Sequence, residues 1–494
     1  MPTQPGGSQL STVLTTPKIV FLVIAAAAPL AAMVGTVPLA FAIGDGPGFP
    51  AVFVFAGLTL TLFSVGYAAM SRRIVNAGGF YTYLSCGLGK PVAVAGGVVA
   101  VVAYNAVTVG LAGAFGYFAR LVGQAHGLTL PWPVYAAAAI AAMAVLGYRQ
   151  IDLSARVLAI LMVAEIGILA VLDAAILLHR GAAALPATSF HPDTVLAGGV
   201  GVSAMFAFIS YVGFESAALY GEESRNPRRS VPLATYLSVV VITVCYALTS
   251  WVAVGAVGAD RVRQVAGEQL GDLFFGLSTG QLGAPATAVM QIMLCTSLFA
   301  ATLALHNAAN RYMFALGRER VLPRWLGGVH PRLHSPHRAS VAQTCVTAAL
   351  VGAFAVAGLD PYLNLATTML GLGTLGIIAL QAAAAVSVVA FFRNRPDRHW
   401  WRTLVAPLLG FAGLLTASVL VVRNFAVMTG TTAFAVTALP WLLLLAAAGG
   451  GGYALWIRSA RPQRYAGLAC VRVRNEPPQT EPAPVPPAVI SDAA

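Results

Sequence analysis

Between residues 19 and 457 the chain is a succession of apolar runs about twenty residues long, each closed by a short polar or charged connection. About 20 apolar residues in helical form cross the hydrocarbon core of a bilayer. Such runs fall at 19–44, 51–70, 92–119, 132–148, 154–178, 198–221, 233–257, 285–316, 341–358, 363–392, 403–423 and 433–457. The chain is 58% hydrophobic, only 9% charged, and has a mean hydropathy of +0.79. Soluble domains carry roughly 25% charged residues, so this chain cannot cover a water-facing surface. The expected fold is an all-α integral membrane protein with twelve transmembrane helices and the lipid bilayer as its solvent.

The net charge of +12 is a topology signal, not a nucleic-acid signal, because the basic residues sit between apolar runs and do not gather on one soluble face. With the N-terminus inside, all but five of the 29 basic residues fall in inner segments. The five exceptions are Arg120, Arg180, Arg261, Arg263 and Arg423. This bias predicts an even number of spans with both termini cytoplasmic. The predominance of arginine over lysine, with abundant Ala, Gly and Val, points to a GC-rich bacterial genome and hence to the inner membrane. Residues 1–18 read as a cytoplasmic segment, 19–457 as the permeating domain, and 458–494 as a basic, then Pro-rich tail that is disordered from Asn475 onward. The first apolar run is too long for a signal-peptide core and is expected to remain as a span. The five cysteines are widely spaced and give no metal or disulfide pattern. No cofactor or metal is expected.

Two runs are interrupted. The first contains Pro29, Gly35 and Pro38, and the missing amide hydrogen and ring clash of Pro38 predict a break near 34–38. The sixth contains Gly201, and Gly213 two residues before Glu215. These runs open two successive sets of five spans, which is the pattern of a five-plus-five inverted repeat with broken helices 1 and 6. At such breaks, half-helix N-termini suit a carboxylate, while half-helix C-termini and unwound carbonyls suit ammonium groups or cations. A ligand with both charges, such as an amino acid, matches both.

Few polar residues interrupt the runs. An acid at mid-depth costs about 2.5–3.5 kcal/mol on insertion scales and marks a pathway or proton site by default. Glu215 is the sharpest case; the alternative is a protonated side chain bonded to a neighbouring helix. Glu165 either packs helices together or joins a proton path. Tyr104 and Asn105 serve as interhelical glue or as substrate contacts. Thr296, Ser297 and Thr302 either bond to their own helix carbonyls or supply oxygen ligands to a sodium ion beside the first break. No lysine lies inside a span. Histidines and cysteines do not cluster, and no nucleophile elbow or phosphate-binding loop is present, so an enzymatic role is not expected.

The stretch "FISYVGFESAALYGEESRNPRRSVPLA" resembles the sixth-span motif of the amino acid–polyamine–organocation (APC) superfamily of permeases. "NAGGFYTYLSCGLGKP" is similar to that family's connection between spans 2 and 3, and "HNAANRYMFALGRERVLPRWLGGVHPR" to the end of span 8 and its loop. The resemblance covers about residues 19–457. It implies twelve helices, alternating access and a site at the breaks. It also implies that Glu215 has a gating or proton role, that Ile209 and Val212 lie beside the substrate next to Gly213, and that Asn105 and Thr108 contact it from span 3. In place of a Gly-Ser-Gly in span 1 this chain has "MVGTVP", which puts the carboxylate-binding amides at Met33, Val34, Gly35 and Thr36. The function these observations lead to is secondary transport of amino acids or related amines, with proton-coupled uptake. Exchange against an amine product, sodium coupling through Thr296 and Ser297, and a transporter-like sensor or complex subunit are the alternatives. The partners are the small-molecule substrate, H+ or Na+, and lipid; nucleic acid is excluded.

Overall fold

A computed structural model describes residues 14–74, 78–149, 155–220, 224–333, 335–431 and 433–468. The N-terminal residues 1–13, the acidic pair Glu222 and Glu223, and the expected disordered tail lie outside the described residues. The first half contains α1 (Thr16–Ala27), α2 (Pro29–Ile43), α3 (Phe49–Ser71), α4 (Gly79–Leu88), α5 (Lys90–Ala125), α6 (Trp132–Arg149) and α7 (Ala155–Arg180). The second opens with the short α8 (Pro192–Val195) and α9 (Val200–Ser210). It continues through α10 (Pro227–Val257), α11 (Val262–Gln269), α12 (Leu273–Leu282), α13 (Ala284–Arg318), α14 (His337–Val356) and α15 (Thr367–Phe392). Helices α16 (Ala406–Thr429), α17 (Phe434–Thr437), α18 (Leu439–Ala460) and α19 (Pro462–Gly467) follow. Among the described residues no strand forms; β pairing is limited to one bridge between Leu14 and Ser224.

Among the described residues, eleven helical segments are long and apolar enough to cross a membrane. The run expected at 132–148 forms α6 but falls outside those eleven. Its 18 residues span about 27 Å, just short of a ~30 Å hydrocarbon core. Trp132, Pro133, Tyr135, Tyr148 and Arg149 dilute its apolar character. The segments differ sharply in position. The window Val200–Ala217 is 94% buried inside the protein, whereas Leu439–Ala460 is 22% and His337–Val356 28% buried. The interrupted sixth run is therefore at the centre, and α14 and α18 are peripheral, with apolar faces left for lipid. Small residues permit the central packing: a Cβ at Gly110 of α5 would meet Leu370 of α15 at 2.7 Å.

The first span breaks earlier than its sequence predicts. Ala28 adopts the left-handed conformation (φ 47°, ψ 70°) between α1 and α2, directly before Pro29. Pro38 lies inside an unbroken α2, so the expected break at 34–38 is replaced by one at Ala28. Both prolines deny a carbonyl its usual partner. Around Pro38 the helix nevertheless continues, and Tyr362 Oη donates to the neighbouring Gly35 O at 2.9 Å. At Pro29 the chain turns instead, and other side chains take up the exposed groups. The sixth run breaks where glycine allowed it: α9 ends at Ser210, Gly213 has φ 112°, and a 3₁₀ segment continues from Phe214 to Tyr220.

A second internal correspondence connects the two halves. Leu88-Gly89-Lys90-Pro91 joins the ten-residue α4 to the 36-residue α5, and Leu282-Gly283-Ala284-Pro285 joins the ten-residue α12 to the 35-residue α13. Gly89 (φ 89°, ψ 172°) and Gly283 (φ 87°, ψ 169°) adopt the same backbone state. That state favours glycine, and the following proline sits within the first helical turn, where its missing N–H costs nothing.

Candidate functional site at the two helix breaks

The breaks lie against each other. A Cβ on Gly213 would stand 2.9 Å from the carbonyl carbon and oxygen of Ala26, so the position demands glycine for closeness as well as for φ. Along the same seam, the Thr36 and Ser210 hydroxyls are hydrogen-bonded at 2.8 Å. Beside this junction is a cavity of about 70 Å³. It is small next to the roughly 300–1,000 Å³ of typical ligand clefts, so this conformation leaves little free volume at the junction. Its walls come from α1, α2, α5, α9, α13 and α15 and are dominated by Ala, Leu, Ile and Val side chains. None of the lining side chains is charged; the polar ones are Thr36, Ser210, Tyr362, Thr367 and Thr374.

Helix ends of opposite polarity converge here. The N-terminus of α2, with the amides of Leu30 and Ala31 in its first turn, carries partial positive charge, and the C-terminus of α9 carries partial negative charge. Glu165 of α7 reaches the first of these ends. Its Oε2 accepts from Leu30 N at 3.4 Å and from Ser297 Oγ at 2.8 Å. Tyr246 Oη donates to the carbonyl of Ala27 at 3.1 Å. The carboxylate and the phenol thus satisfy backbone groups that the break at Ala28 releases.

Glu215 does the same at the other break. Its Oε2 accepts from Gly213 N at 3.0 Å and its Oε1 from Tyr104 Oη at 2.9 Å. Tyr104 stacks on Tyr312 with ring centroids 5.4 Å apart, and Tyr67 Oη donates to the Glu215 carbonyl at 3.4 Å. The Glu215 side chain is 3% exposed and does not line the cavity.

The structure gathers only some of the residues that the sequence singles out. Gly35, Thr36, Ile209 and Val212 line the cavity, and Gly213 forms the contact beside it. Met33 and Val34 do not line it; they are fully buried within α2, so the free amides belong to the stretch just after Ala28. Asn105 donates to Val101 O at 2.7 Å and Thr108 to Tyr104 O at 2.8 Å. Both side chains bond to their own helix and lie outside the cavity lining. Ser297 joins Glu165, but Thr296 is exposed on the outer face and donates to Met293 O at 2.9 Å. The two do not converge on one point. Missed entirely were the alanines 26–28, 31 and 32, and Tyr362. The one available signal for Tyr362 was the Asp360-Pro361 helix start, where Asp360 Oδ1 accepts from the amides of Tyr362 and Leu363 at 2.8 and 2.7 Å.

At the far end of α2, Asp45 is 1% exposed. Burial raises its carboxyl from 3.8 to about 6, against the opposing pull of the Gly199 backbone and Arg263. Asp45 N donates to Ser203 Oγ at 2.7 Å, joining the end of the first span to α9.

A helical membrane bundle in which two interrupted spans meet beside a small central cavity has the architecture of secondary transporters. The chain belongs to the amino acid permease family, whose profile matches residues 14–448, in agreement with the resemblance to APC permeases. An uncharacterised transporter of Rhizobium meliloti is 29% identical over 313 residues, which cover 61% of this chain and 65% of that protein. The branched-chain amino acid permease BcaP of Bacillus subtilis is 26% identical over 385 residues, 72% of this chain and 76% of its own length. The methylthioribose transporter of the same organism is 26% identical over 377 residues, again 72% and 76%. This is a multi-pass membrane protein of a transporter family whose substrates are small molecules.

Proposed function

We propose that the chain is a secondary transporter, without enzymatic activity, that moves a small zwitterionic amino acid with an apolar side chain across the bacterial inner membrane. The observation that carries this reading is the cavity at the junction of the breaks: helix ends of both polarities beside walls without a charged side chain. A zwitterion uses both ends. An aliphatic side chain matches the Ala, Leu and Val walls, whereas a guanidinium or ammonium side chain would find no carboxylate on them. The branched-chain specificity named for the Bacillus relative agrees with this chemistry. Residues 19–457 form the permeation domain, with twelve spans in a five-plus-five inverted repeat plus two, and both termini are cytoplasmic. The matched Leu-Gly-x-Pro elbows support the repeat. Transport proceeds by alternating access and is coupled to protons through Glu215 and Glu165, each of which closes one of the breaks. Sodium coupling is the weaker reading, because Thr296 faces away from Ser297.

Counterflow in proteoliposomes tests the substrate class. Leucine, isoleucine or valine inside should drive uptake of the same labelled amino acid, and arginine or lysine should not. Exchange of the cationic amino acids alone would overturn the proposal. A Cβ on Gly35 would be 3.8 Å from the nearest atom, in the Phe118 ring. Gly35→Ala should therefore be tolerated and Gly35→Leu should abolish counterflow while membrane insertion stays normal. Unchanged affinity in Gly35→Leu would remove the cavity from the pathway.

A further inference from the structure

A second cavity, of about 840 Å³, opens at the basic end of the bundle, away from the helix breaks. It lies between the last two turns of α3, the first turns of α10 and the segment that leads into α16. Its rim carries five arginines: Arg72, Arg73, Arg228, Arg229 and Arg402. One carboxylate, Asp397, lines it, and that group is engaged by Arg73 at 2.6 Å. The guanidinium groups of the other four meet no carboxylate among the described residues. Two of them, Arg228 and Arg229, occupy the first turn of α10, which contains no acid. Cations are disfavoured at that positive end of a helix, so an anion placed against this cluster would be favoured.

The cavity is also graded in polarity. Below the arginine rim its walls are Val65, Ala68, Ala69, Pro232 and Tyr236. Leu233, which also lines it, and Leu237 beside it are 46% and 44% exposed, as lipid-facing side chains are. Next to His399 on the rim, Trp400 is 68% exposed, and tryptophan is enriched at headgroup depth. An arginine rim over an apolar shaft at that depth matches a phosphate attached to hydrocarbon, not a free ion.

We propose that this cavity binds the phosphodiester headgroup of an anionic phospholipid from the leaflet at the basic end, with the start of its acyl chains against Val65 and Leu233. Basic recesses between transmembrane helices take such headgroups. The site is separate from the transport cavity and does not depend on which substrate is carried.

The test uses the purified full-length protein in non-ionic detergent. It is titrated with dioctanoyl phosphatidylglycerol, with phosphatidylcholine of the same chain length, and with inorganic phosphate, and thermal unfolding is followed. Phosphatidylglycerol should raise Tm saturably, and the other two should give little shift at equal concentration. In Arg72→Gln/Arg402→Gln the apparent affinity should fall roughly fivefold for each arginine removed. Arg72→Lys/Arg402→Lys should keep most of the response, which separates lost charge from misfolding. Arg332→Gln, an exposed arginine outside the cavity, should respond as the unaltered protein does. Equal shifts with phosphatidylcholine, an inorganic phosphate shift as large as the lipid's, or an undiminished response in the Gln pair would each overturn the proposal.

Discussion

At the scale of single residues, the two buried glutamates hold the backbone together where the helices stop. Glu215 accepts from Gly213 N with one oxygen and from Tyr104 with the other. A glutamine can reproduce this arrangement: its oxygen accepts from Gly213 N, and its NH₂ donates to a Tyr104 hydroxyl that has rotated to accept. Protonation of Glu215 permits the same exchange. Glu215→Gln should therefore fold and bind substrate while the pH dependence of uptake flattens. An unchanged pH profile would take Glu215 out of the proton path. Asp45 gives a prediction about stability. Its folded value, about 6, lies above its ordinary 3.8, so the folded state favours the protonated form. The stability this contributes is complete below about pH 4 and is lost as pH rises through 6. Asp45→Asn should flatten that decline in thermal-unfolding scans between pH 4 and 7; a slope equal to the parent's would refute the assignment.

At the scale of elements, the kinds of interruption were legible and one location was not. Gly213 marked the sixth break because glycine alone enters φ 112° without strain. In the first span two prolines nine positions apart gave competing signals, and local sequence does not rank them. Tertiary partners decide. Around Pro38 the helix holds, with Tyr362 bonded to Gly35 O, whereas Glu165 and Tyr246 receive the groups released at Ala28 and Pro29. These partners are more than a hundred residues away in sequence, so the free amides were expected about one turn too late, at Met33–Thr36. For Asn105 the sequence left two roles open, interhelical glue and substrate contact; its amide bonds to Val101 O on its own helix and reaches Met313 Sδ of α13 at 3.7 Å. The repeated Leu-Gly-x-Pro elbow was in plain view, but short motifs acquire weight only when their backbone states coincide. The close approach at the breaks is testable. Gly213→Ala should destabilise the protein by at least about 1 kcal/mol from φ alone, with the 2.9 Å approach to Ala26 adding to it. Gly167→Ala in α7, where a Cβ meets nothing within 4 Å, should be neutral or slightly stabilising. Equal Tm values for the two variants in detergent would refute the argument.

At the scale of the whole molecule, composition decided almost everything about class. A chain with 9% charged residues has to satisfy its backbone internally and in helices if it is to sit in lipid, and the described residues do so. Composition was weakest where a span is short and bordered by aromatics, as in α6, and it said nothing about which helices are central. At that centre Ala26 and Gly213 bring the two interrupted spans into direct contact. With no side chain between the two backbones, a shift of either span at this point would press on the other. The contact also fixes what descendants of this sequence can accept. Gly213 has no smaller residue to become, so added bulk at position 26 has no local remedy, and the pair can change only if the two spans move apart.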